Sequence, residues 1–249
     1  PTGTLFILSK ITTKPAEEIT IQIIEIIAIY LLMYLIIKPG NKIGSSGLIG
    51  IALLAYGAYS LAGFLWFLPI LIAVILIAYT DIFISKPIKD ADLYRIRSVF
   101  YILVIPLCWL LVANINASNK EIFFVPFLIT ILAHLSIIWQ GRSREIKREK
   151  EAIKNAMIYH SPAWLRSFFL ILFFLPMLLI LDQRLSVLLT IICSYLGILV
   201  SDSIFWLIED NVGQNWSFIN LLRLRMGIVL LITLIILMVN LCFYNRAVV

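Results

Sequence analysis

The strongest constraint in this sequence is the alternation of eight long apolar runs with short gaps that hold nearly all of its charge. A water-soluble domain of this length has no interior large enough to hide eight such runs. Charged side chains make up 14% of the 249 residues and hydrophobic ones 62%, whereas soluble domains average about 25% and about 45–50%. Mean hydropathy is +1.03. A bilayer core about 30 Å thick takes about 20 apolar residues per helix, so eight spans would use about 160 residues. The chain therefore reads as all-α: a polytopic integral membrane bundle of about eight transmembrane helices, forming one membrane-embedded domain over residues 1–249.

The expected spans are 19–37, 47–63, 67–85, 98–113, 122–139, 167–181, 185–208 and 226–244. Lys38-Pro39-Gly40-Asn41-Lys42 breaks the first run cleanly. The stretch from Gly47 to Ser85 is too long for one helix and is expected to turn near residues 63–69, with Trp66 at the interface. Asp182-Gln183-Arg184 forms a second tight connection, and the polar stretch 209–225 reads as an amphipathic link. Residues 4–11 are too few to span, and the sequence opens at Pro1, so an upstream segment is left open.

Placing the gaps alternately on two sides sorts the 20 lysines and arginines fifteen to five. The richer side is expected to face the cytoplasm or its equivalent, with both ends of the sequence on the other side. This sorting accounts for the net charge of +6 without a nucleic-acid partner. The longest basic gap runs from Arg142 to Met157, with Ile146, Ile153 and Met157 at helical spacing beneath a charged face. It is expected to form an amphipathic helix on the inner leaflet, or a solvated helical hairpin loop, and to be the docking surface for any soluble partner.

Ionisable groups within the apolar runs are costly, about 2.5–3.5 kcal/mol or more at the bilayer centre, so each is a candidate for function. Asp202 in the seventh run, Glu25 in the first and Asp81 at the end of the third are the candidate binding or coupling carboxylates. His134 lies near the inner end of the fifth run without a second intramembrane histidine, so neither haem nor a histidine-rich metal site is indicated, and no cofactor is expected. Cys108, Cys193 and Cys242 stand singly in apolar runs and read as small buried hydrophobes. Thr190, Ser194, Gly197 and Ser201 follow one another at intervals of 4, 3 and 4 residues, which puts small side chains along one face for close helix packing.

Gly44-Ser45-Ser46-Gly47, followed by a small-residue helix, and Ala133-His134-Leu135 resemble the serine and histidine motifs of rhomboid intramembrane proteases. That resemblance implies Ser46 as nucleophile and His134 as general base. Ser136-Ile137-Ile138-Trp139 stands where that family has glycines. Asp81 and Asp202 resemble the pair of intramembrane aspartyl proteases, but Leu199-Val200-Ser201 precedes Asp202 where that family has a glycine-rich context. Neither a phosphate loop nor an aspartate-rich magnesium box is present.

Three functional expectations follow, of which the first leads. The chain is an integral membrane subunit of a larger complex, in contact with lipid and other membrane subunits. Otherwise it is a small-solute or ion transporter with Asp202 as its intramembrane carboxylate, or a rhomboid-like serine protease. The subunit reading expects Asp202→Asn to assemble and work; the transporter reading expects it to fold but not transport.

Overall fold

Apolar composition without β-branched alternation leaves the helix as the structure that satisfies every backbone group locally, and the computed structural model has eight helices and no strand among its described residues. Those residues are 16–37, 45–82, 96–116, 120–148, 162–180, 187–212 and 216–247. The helices are α1 Ala16–Ile37, α2 Ser45–Ala62, α3 Phe64–Ile82, α4 Ile96–Ile115, α5 Lys120–Arg148, α6 Ala163–Ile180, α7 Val187–Val212 and α8 Phe218–Ala247. Four of them, α1, α5, α7 and α8, contain windows long and apolar enough to cross a membrane. The other four are apolar over shorter described stretches of 10–17 residues.

The centre of the fold is α5. Its window Ile122–Trp139 is 94% buried, against 11% for the Ile19–Ile37 window of α1. A helix apolar on every face has to be enclosed on every side or face lipid, and α5 is enclosed: α3, α4, α6, α7 and α8 all pack on it. Next to it, α2 lies against α1, α3 and α4. Ile21, Ile24, Leu31 and Leu35 of α1 remain exposed, as in a peripheral helix apolar enough to face lipid.

Helix α5 is also longer than the membrane requires. Its 29 residues span about 43 Å at 1.5 Å per residue, against a core of about 30 Å. Residues 142–148 continue the helix past Trp139 and do not form a separate one. Of the two expectations for 142–157, a separate helix on the leaflet does not hold for 142–148, whose helical continuation of α5 fits the solvated helical hairpin instead, and 149–157 lie outside the described residues.

The turn expected over 63–69 is one residue wide. Gly63 donates its N–H to the Tyr59 carbonyl at 2.9 Å and accepts from Trp66 N–H at 3.1 Å, so it ends α2 and opens α3 at once. Its φ of +96° explains why glycine stands there. Trp66, expected at the interface, is instead buried against α5, with its ring 5.2 Å from Phe124 and 4.8 Å from Phe127. Cysteine burial was also overestimated: Cys108 and Cys242 are exposed and only Cys193 is partly covered.

The small-residue face of α7 is buried as expected, with Thr190, Ser194, Gly197 and Ser201 all enclosed. At Gly197, α7 lies tightly against its neighbours. A β-carbon there would sit 2.6 Å from Ile236 Cδ1 of α8 and 3.1 Å from Ile129 Cγ2 of α5. The buried stripe of α8 includes Arg225, Val229, Ile232, Thr233 and Ile236, and Thr233 takes a hydrogen bond from Trp109 Nε1 of α4 at 3.2 Å.

Candidate functional site

Several of the polar groups buried in this apolar bundle meet around α5. Asp202 of α7 is fully buried. Its Oδ2 accepts from Arg166 Nη2 of α6 at 2.9 Å and from Ser136 Oγ of α5 at 3.2 Å. Its Oδ1 accepts from Trp206 Nε1, one turn further along α7, at 2.8 Å. Three donors thus converge on one carboxylate, and they tie α5, α6 and α7 together.

A second set of contacts clamps α5 from α8. Arg225 is 5% exposed; its Nε donates to His134 Nδ1 at 2.9 Å and its Nη2 to the His134 carbonyl at 2.6 Å. His134 and Ser136 are two residues apart, about 200° around the helix axis, so the two sets grip roughly opposite faces of α5. An arginine that donates to Nδ1 uses that nitrogen's lone pair, which leaves the ring neutral with its proton on Nε2. His134 Nε2 is buried and has no hydrogen-bond partner among the described residues.

Local structure explains why the two arginines are inside. Pro162 accepts the N–H groups of Leu165 and Arg166 through its carbonyl, so α6 starts before Arg166. Ser217 plays the same part for α8, where its carbonyl and its Oγ both accept Asn220 N–H. Sequence reasoning placed Arg166 and Arg225 at the edges of loops, with their spans starting at 167 and 226. The helices begin at Ala163 and Phe218, and both arginines point into the bundle. Pro162 and Ser217, both residues suited to helix starts, were the available signal.

The other candidates stand apart from this cluster. Glu25 is half-buried on α1, within electrostatic range of Tyr56 on α2. The side chains of Ser46 and Asp81 lie outside the described residues. Among the described residues no three His, Cys, Asp or Glu side chains gather as metal ligands. Comparison with family models, with curated proteins and with solved structures finds no match to this chain.

Proposed function

We propose that this chain crosses the membrane eight times, with its basic gaps on the cytoplasmic or equivalent side, and serves as an integral subunit of a larger membrane assembly. One observation carries the reading: Asp202, the deepest carboxylate of the seventh run, is already committed to Arg166, Ser136 and Trp206. A buried ion pair with its lone pairs taken up fixes helices in register. A coupling carboxylate would have to exchange those donors for its cargo in every cycle. The protease reading asks His134 for a free lone pair, and Arg225 occupies the one its neutral ring offers. The basic end of α5, from residue 142 to 148, extends beyond the apolar stretch and supplies a surface for a soluble partner.

Native mass spectrometry of the protein released gently from its own membrane tests the assignment. A second protein chain at fixed stoichiometry is the expected result. A chain that flies alone, or only with copies of itself and lipid, would contradict it.

A further inference from the structure

Glu25 is the tenth of the 22 residues of α1, about 14 Å from one end of the helix and about 18 Å from the other. Asp202 has three donors, whereas Glu25 makes no hydrogen bond or ion pair among the described residues. At 100° per residue, Ile21, Glu25, Ala28 and Leu32 fall on one stripe of α1. Ile21, Ala28 and Leu32 are exposed, and Glu25 stands at the margin between them and the side packed on α2 and α3. The adjoining helix has a matching stripe: Ile49, Leu53 and Ser60 of α2 are exposed, with the partly covered Tyr56 between Leu53 and Ser60. Tyr56 is near enough to feel the Glu25 charge, which joins the two stripes into one surface. That surface is apolar at its margins, with a carboxyl and a phenol at its middle. Acidic side chains at this depth are normally paired, because hydrocarbon solvates neither their charge nor their oxygens.

We propose that this face of α1 and α2 seats a transmembrane helix of a different subunit, one that carries an arginine or lysine at mid-membrane depth to pair with Glu25. The proposal rests on the subunit reading and names the surface through which that assembly forms. Charge selects the occupant. Acyl chains cover Ile21, Leu32 and Leu53 but leave the carboxylate without a counter-charge. A second copy of this chain does not supply one either. Among the described residues the exposed cations are Lys120, which opens α5, and Arg223, the sixth residue of α8. Both sit near helix ends, away from the depth of Glu25. Ala28, the small residue beside Glu25 on the stripe, lets a second helix backbone approach closely enough for its basic side chain to reach the carboxylate.

The test is photocrosslinking of the full chain in its own membrane, with a photoreactive amino acid at Ala28 or at Leu53 and the captured peptide sequenced by mass spectrometry. Both positions are expected to capture one transmembrane segment of another chain, with an arginine or lysine near its middle. Glu25→Gln should lower the yield about tenfold or more, the effect of truncating one member of a buried charge pair. Glu25→Lys should abolish it, and changing the captured segment's basic residue to glutamate should restore it. Recovery in the exchanged pair separates lost pairing from lost folding. No protein product, capture of lipid or of a second copy alone, a captured segment without a basic residue, or an unchanged yield with Glu25→Gln would overturn the site. If native mass spectrometry still shows a partner at fixed stoichiometry beside such a result, the subunit reading stands and only this face is lost. A chain found alone in both experiments loses both.

Discussion

Removing one charge of the Arg166–Asp202 pair leaves the other buried without the contact the two share, and this outweighs the modest net value of the pair itself. Asp202→Asn is accordingly expected to destabilise the protein by about 3–5 kcal/mol, measured by titration from mild detergent into denaturing detergent. The subunit reading expects this variant to assemble and work; the three donors on the carboxylate add a stability cost to that expectation. The double variant Arg166→Met with Asp202→Leu, which removes both charges, should recover most of the loss. Equal loss in the single and double variants would show that the pair does not act as a unit. Asp202 was legible in the sequence because a carboxylate in an apolar run is conspicuous. Arg166 and Arg225 were not, because an arginine next to a basic gap looks like part of that gap. Only the helix start decides whether such a residue is outside the bundle or one turn within it.

At the level of elements, the eight runs correspond to eight helices among the described residues, four of them long and apolar enough to cross a membrane. What hydropathy could not show was which helix is central. α5 is apolar on all faces, but so is α1, and their burial differs because of neighbours that no local pattern encodes. Two glycine positions test the packing. Gly197→Ala should cost about 1–3 kcal/mol, the usual penalty of overpacking, because Ile129 Cγ2 and Ile236 Cδ1 must both shift. Gly227→Ala meets nothing within 4 Å and should gain about 0.5–1 kcal/mol from helix propensity. A loss at Gly227 matching that at Gly197 would contradict this close approach of α7 to α5 and α8. The α2–α3 junction is sensitive for a different reason. Gly63→Ala has open space around it, yet it should lose about 1–2 kcal/mol because an L-residue is strained at positive φ. Comparison of the thermal midpoints of these three variants in one detergent separates crowding from backbone strain.

For the whole molecule, the arrangement of the polar cluster gives the topology a physical test. His134 lies at the middle of α5 and Ser136 just beyond it, Asp202 in the second half of α7, and Arg166 and Arg225 in the first halves of α6 and α8. These positions coincide at one end of the bundle only if successive helices run in opposite directions, which is the order that the lysine and arginine sorting requires. The alternating direction of α5, α6, α7 and α8 could thus be anticipated from sequence. The cluster it assembles could not, because it joins residues 134, 136, 166, 202 and 225 through contacts between distant segments. The most direct test is thiol labelling of single-cysteine variants in sealed vesicles, starting from a protein lacking Cys108, Cys193 and Cys242. Pro162→Cys and Ser217→Cys, at exposed positions before α6 and α8, should react with an impermeant reagent from one face of the membrane. Phe64→Cys and Asn116→Cys, at exposed positions after α2 and α4, should react only from the other. Labelling of all four from the same face would contradict the eight-span arrangement and the place of the charge cluster within it.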